Sequence, residues 1–257
     1  MSLDLYLGLK GVPITNPPVW YETLRMGAGN GVEDAMLQIL KDSRIVDPYY
    51  DQDFDGRVEM EREGVVIHGY MDAIRMDNGQ PIEIKSINNK NAWDIRKYET
   101  GEPRESYIGQ LSIYQDFLGK DTGHLFVSSV DGLSRFWFDN KRVSDTGDYQ
   151  CGMTCVNIAN EYKRWAKIKA MVDNNEKPDI FEYRYKYPLE SIDWANLSAD
   201  KISKARTGKA VIGDWQVLYS PWKDLIVKLQ GTELGYSLEE LKYINKVTEG
   251  YTNWKKK

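Results

Sequence analysis

Apolar residues recur at helical spacing in GVEDAMLQILKD (residues 31–42), where Val32, Ala35, Met36, Ile39 and Leu40 share one face. That spacing predicts an amphipathic helix with Glu33 in its first turn. The stretch before it, ITNPPVWYETLRMGAGNG, is punctuated by Pro, Gly and Asn and reads as loop. From Gly56 the period changes to two. Val58 and Met60 alternate with charges; then Val65, Ile67, Gly69 and Met71 alternate with Val66, His68, Tyr70 and Asp72. Asp77-Asn78-Gly79 is a hairpin signal. In the return strand, PIEIKSI, Ile82, Ile84 and Ser86 face one side, and Glu83, Lys85 and Ile87 the other.

EPRESYIGQLSIYQDFLG returns to helical spacing through Ile108, Leu111, Ile113 and Phe117, with Gly119 as its stop. HLFVSSVDGLSRFWFD predicts a second hairpin turning at Asp131-Gly132. CVNIANEYKRWAKIKAMVDNNEKP predicts a long amphipathic helix from Cys155, ended by two asparagines and Pro178. Helix, three strands, helix, two strands, helix is a mixed α/β (α+β) order, with a small, partly antiparallel sheet flanked by helices. Beyond Pro178 the chain becomes aromatic and charged. Residues 1–178 are therefore expected to form a core and 179–257 a C-terminal extension packed on it. Within that extension Ser237 caps a short helix.

At 257 residues, 41% hydrophobic and 28% charged, the chain can bury a sizeable core. No apolar run approaches bilayer length, and the N-terminus lacks the basic and apolar regions of a signal peptide. A cytosolic protein with no membrane partner is expected. The net charge of −5 argues against polyanion binding by bulk charge and leaves room for local basic patches. Cys151 and Cys155 form one C-x3-C pair, too few for a four-ligand zinc or iron–sulfur site; a reduced, partly buried pair is expected.

The chemistry concentrates in GYMDAIRMDNGQPIEIKS. Asp72 ends one strand, while Glu83 and Lys85, two residues apart, share a face of the next. Paired carboxylates suit a hard divalent cation, which takes oxygen ligands, water and phosphate. A lysine beside them can orient water or meet charge on a phosphoryl group. The implied reaction is metal-assisted phosphodiester hydrolysis. A loose D…E-x-K also arises by chance. Here the charges are set among apolar strand residues, where an unpaired charge is costly. Glu33 adds a third carboxylate, and Gln110 and Tyr114 lie one turn apart on one helix face.

In order and spacing, Glu33, GYMD ending in Asp72, EIK (Glu83 to Lys85) and QLSIY (Gln110 to Tyr114) resemble the PD-(D/E)XK nuclease superfamily. The likeness is to the branch that holds RecB-type domains and phage lambda-type exonucleases, and it covers roughly residues 27–178. It implies a restriction-endonuclease-like core and an Mg2+- or Mn2+-dependent nuclease using one or two ions. Asp72, Glu83 and the Ile84 carbonyl would be metal ligands, with Glu33 in the place of a first-helix ligand. Lys85 would activate water, and Gln110 and Tyr114 would hold the substrate or the active-site network. Some relatives carry an iron–sulfur cluster on four cysteines; with two cysteines none is expected here. The branch favours an exonuclease acting on duplex DNA ends in phage or bacterial recombination and repair. Such enzymes work with a single-strand annealing partner or as homo-oligomers.

Several segments carry weaker signals. DQDFDGRVEMER (Asp51–Arg62) has acids at the first, third and fifth positions of a calcium loop, yet Arg62 stands where Glu is required. Arg25, beside the glycine-rich GAGNG, is a candidate for a DNA-end phosphate, since lambda-type exonucleases have an arginine in this region. Tyr183–Pro188 and Lys201–Lys209 could follow a nucleic-acid backbone, whereas Trp215, Tyr219 and Trp222 read as core. Two further readings stay open: a nuclease fold serving only to bind or scaffold DNA, and a restriction-type endonuclease.

Overall fold

The computed structural model describes residues 2–14, 16–87, 92–176 and Trp222. The chain divides into two units, one of Val19–Ala166 and one of Met1–Pro18 with Lys167–Lys257. In the second unit, helix α1 (Ser2–Leu9) contributes Tyr6 and Leu7 to a small cluster with Ile168 and Trp222. Trp222 is buried, as expected, and its Nε1 donates to the Val12 carbonyl at 2.9 Å. The rest of the expected extension, including the Ser237 helix, Tyr183–Pro188, Lys201–Lys209, Trp215 and Tyr219, lies outside the described residues.

The first unit opens with helix α2 (Trp20–Asp42), which corrects the loop expected over its first half. Glu22 starts the helix by accepting the Val19 N–H at 3.0 Å. The helix then runs through Gly27, Gly29 and Gly31, each costing about 1 kcal/mol relative to Ala. Gly29 has a reason to be there: a Cβ at this position would lie 2.8 Å from Ser86 Oγ. The glycine lets α2 approach the sheet, and the burial of Met36 and Leu40 offsets its cost.

Strands β1 (Arg57–Arg62) and β2 (Val65–Tyr70) form a two-stranded antiparallel ribbon. The main sheet has six strands in the order β3 (Ala73–Ile74), β4 (Pro81–Ile87), β5 (Thr122–Ser129), β6 (Arg135–Arg142), β7 (Asp148–Cys151) and β8 (Thr154–Asn157). The β4–β5 pair is parallel and the other pairs are antiparallel, so the sheet is mixed, as expected. The parallel crossover carries helices α3 (Ala92–Glu99) and α4 (Glu105–Leu118). Gly119 ends α4 in the left-handed conformation, φ 62°.

The alternation read along β4 is realised on opposite faces. Ile82 and Ile84 pack with Met36 and Leu40 of α2, while Ile87 packs with Ile108 and Leu111 of α4 and with Leu125 and Val127. Helices thus flank both faces of the sheet. The helix expected from Cys155 begins later: α5 spans Ile158–Asp173, and residues 148–157 form the β7–β8 hairpin. Gly152 makes its turn at φ 56°, where a Cβ would lie 2.3 Å from the Gly101 carbonyl oxygen. Asn157 then caps α5, its Oδ1 accepting the Asn160 N–H at 2.8 Å. Cys151 and Cys155 are both free, one buried and one exposed.

Candidate active site

The site lies where β3 stops. β3 covers only Pro81 and Ile82 of β4, so the next outward N–H groups on that edge belong to Ile84 and Ser86. Carboxylates take both. Asp72 Oδ2 accepts the Ile84 N–H at 2.7 Å, and Glu33 Oε1 accepts the Ser86 N–H at 2.8 Å and its hydroxyl at 2.9 Å. In an extended strand the N–H and C=O of one residue point to the same edge. The Ile84 carbonyl therefore projects from the edge that Asp72 occupies.

Glu83 and Lys85 rise together from one face of β4. The Glu83 side chain is wholly buried, and Lys85 is 18% exposed. Their charged ends are in direct contact, and Lys85 Nζ lies 3.6 Å from Asp72 Oδ2. Apart from that ion pair neither Glu83 oxygen has a hydrogen-bond partner among the described residues. The Lys85 ammonium also sits 5.9 Å from the centre of the Tyr107 ring.

This crowding shifts the site's proton equilibria. Burial, followed by the Asp72 charge, pushes the Glu83 carboxyl well above its usual range. Burial also raises Asp72; the Lys85 ammonium and the Ile84 N–H oppose that, and the Glu33 charge adds to it. For Lys85 burial disfavours the charge, but the Glu83 and Asp72 carboxylates outweigh it and hold the ammonium above its usual range.

Tyr114 braces the approach to Asp72 from α4. Its hydroxyl donates to the Tyr70 carbonyl at 2.8 Å and receives Gln110 Nε2 at 2.9 Å. The ring lies over Gly69, where a Cβ would sit 3.4 Å from it, an ordinary contact. Burial, and then the Glu83 charge, push the phenol up to about 12. Tyr114 is 5% exposed and its hydroxyl is committed, so this pair acts through the placement of Tyr70 and the residues after it.

Of the residues expected from the sequence, the structure brings Asp72, Glu83 and Lys85 into contact. Glu33 lies one step further along the β4 edge. Arg25 sits within α2 on the same i, i+4 row as Gly29 and Glu33, with its guanidinium 5.7 Å from the Tyr21 ring centre. The backbone loop at a helix N-terminus expected there is absent, because the glycines are helical. Sequence reasoning missed Ser86, whose only signal was its place two residues beyond Ile84, and Gln52, whose Nε2 donates to Asp72 Oδ1 at 3.0 Å.

Among the described residues no three His, Cys, Asp or Glu side chains group closely enough to cage a metal ion. Mg2+ does not require such a cage, since it binds through one or two carboxylates plus water and phosphate. Asp72 and Glu83 fit that demand: among the described residues they are paired acids with a single ammonium between them, and Glu83 has an oxygen without a partner.

No family model matches the chain, and no curated protein matches it. Among solved structures it is similar to a crystal structure of SSO0001, with 19% identity over 66% of this chain and 70% of that one; the TM-score of 0.36 is too low to carry an argument.

Proposed function

We propose that the chain is an Mg2+- or Mn2+-dependent deoxyribonuclease that hydrolyses phosphodiester bonds and works from DNA ends. One observation carries the reading: Glu83 is buried beside Asp72 and Lys85 with an oxygen left unpartnered among the described residues. Such an arrangement costs folding energy unless a ligand uses it.

Asp72, Glu83 and the Ile84 carbonyl would hold the metal ion, with Glu33 at the far end of the same edge. The ion, when bound, supplies Lewis acidity to the phosphodiester and to the attacking water. Lys85 Nζ, kept protonated by its two carboxylates, orients that water and meets the negative charge that builds on the phosphoryl oxygens. The buried Tyr114 and Ile84 keep this edge fixed, so the carboxylates need little reorganisation.

The test is cleavage of end-labelled linear duplex beside a closed-circular control, with Mg2+, Mn2+ or EDTA. Metal-dependent loss of the linear DNA alone supports an exonuclease. Cutting of the circle as well assigns an endonuclease. DNA binding without cleavage in either metal assigns a scaffold and ends the nuclease reading.

A further inference from the structure

We propose that Gln52 is a positioning residue for Asp72 and that the loop Tyr50–Gly56 is built to hold it there. The inference rests on the nuclease reading of the site.

Both oxygens of Asp72 have a donor. The Ile84 N–H fixes Oδ2 at 2.7 Å and the Gln52 amide fixes Oδ1 at 3.0 Å. A donor on each oxygen restrains the carboxylate from turning about its last bond and aims its free lone pairs before any cation arrives. Partners of ligating carboxylates tune affinity in this way.

The loop is tied to the residue just before Asp72. Tyr50 Oη donates to the Met71 carbonyl at 2.9 Å, and the Met71 N–H donates to the Gly56 carbonyl at 2.8 Å. The Gly56 N–H donates to the Gln52 carbonyl at 3.1 Å, closing the loop on itself. No side chain fits at Gly56: a Cβ would lie 2.5 Å from the Met71 carbonyl oxygen and 2.6 Å from both the Gln52 carbonyl oxygen and Tyr50 Oη. Met71 is buried and held at its N–H and its C=O, so the loop is tied to the residue that precedes the carboxylate.

Two of the loop's three acids bind its own backbone. Asp51 Oδ1 accepts the Asp53 N–H at 2.9 Å, and Asp55 Oδ2 accepts the Asp51 N–H at 2.9 Å. Gln52, between two of them, sends an amide to the site. An acid at this position could not donate and would repel Asp72, which gives a reason for Gln among aspartates. The segment that resembles a calcium loop is thus accounted for as the mount of a catalytic carboxylate.

The experiment titrates Mn2+ into the full-length chain by calorimetry, for wild type, Gln52→Met and Asp53→Asn. Melting temperature and cleavage rate against Mn2+ concentration are measured alongside. Gln52 is exposed, so Gln52→Met removes the donor at little cost to folding. The expected result is a loss of Mn2+ affinity of about 10-fold or more in Gln52→Met. The Mn2+ needed for half-maximal cleavage rises by the same factor, the melting temperature holds, and Asp53→Asn matches wild type. Wild-type affinity in Gln52→Met overturns the positioning role and leaves the nuclease reading standing. Equal losses in both variants, with a lower melting temperature, also overturn it, by assigning Gln52 to loop folding. A wild-type chain that takes up no Mn2+ overturns the nuclease reading and this inference together.

Discussion

Asp72 takes the N–H of Ile84 at 2.7 Å, filling with a side chain the edge position where a neighbouring strand would otherwise pair. The carboxylate is thereby fixed to β4 while staying beside Lys85 and Glu83. If this edge binds a cation, the cation stabilises the folded chain. At 100 times its dissociation constant, Mn2+ adds about 2.7 kcal/mol. That corresponds to a rise of about 5–10 °C in melting temperature for a chain of this size. Differential scanning fluorimetry should show the rise in wild type and less than half of it in Asp72→Ala.

Glu83 sets a pH dependence whose sign follows from its burial. Its folded pKa is raised, so the native state keeps a proton that the unfolded chain has released. Wild type therefore loses stability, relative to a variant without this group, as pH rises from about 4.3, the unfolded Glu value, through the raised folded value. In metal-free buffer the melting temperature of Glu83→Gln minus that of wild type should increase with pH across that window. A constant difference contradicts the burial argument.

Gly29 and Ser86 form a coupled pair. Gly29→Ala improves helix propensity by about 1 kcal/mol, yet drives a methyl to 2.8 Å from Ser86 Oγ, the group that holds Glu33. Net destabilisation of about 1–2 kcal/mol is expected. Removing Oγ as well leaves the Ser86 Cβ 3.9 Å from the new methyl, an ordinary contact. In chemical denaturation Gly29→Ala/Ser86→Ala should be more stable than the sum of the single changes predicts, by at least about 0.5 kcal/mol.

Tyr114→Phe removes the donor to the Tyr70 carbonyl and leaves Gln110 without its acceptor. The cost is about 1–2 kcal/mol in equilibrium unfolding. Cleavage should slow as well, because the support before Met71 and Asp72 is lost. Gln110→Leu leaves the Tyr70 bond intact and should cost less on both measures.

The parts of this architecture that could be read from sequence are local. The period of two along β4 separates Ile82 and Ile84 from Glu83 and Lys85, and the structure puts those pairs on opposite faces. The stop at Gly119 and the turn at Asp131-Gly132 were legible because few residues other than glycine accept the left-handed conformation both glycines adopt. The glycines of α2 misled because Gly29 exists for a contact with Ser86, 57 positions away in the chain, which no local signal carries. The β7–β8 hairpin was hidden for the same reason: Gly152 is dictated by the backbone of Gly101. In the site, Asp72, Glu83 and Lys85 stood out by residue type and spacing. Ser86 and Gln52 did not, because a hydrogen-bond partner across the fold can be any of several polar residues.

Asp72 and Lys85 stand at the centre of the proposed metal-dependent hydrolysis of DNA. Its most direct test is single-turnover cleavage of end-labelled linear duplex by wild type, Asp72→Ala and Lys85→Ala, with Mg2+ or Mn2+ and with EDTA. Wild type is expected to cleave in a reaction that EDTA abolishes and that each substitution slows at least about 100-fold, with the fold retained. Equal rates in the variants, or a wild type that binds the duplex and leaves it intact in both metals, would contradict the proposal.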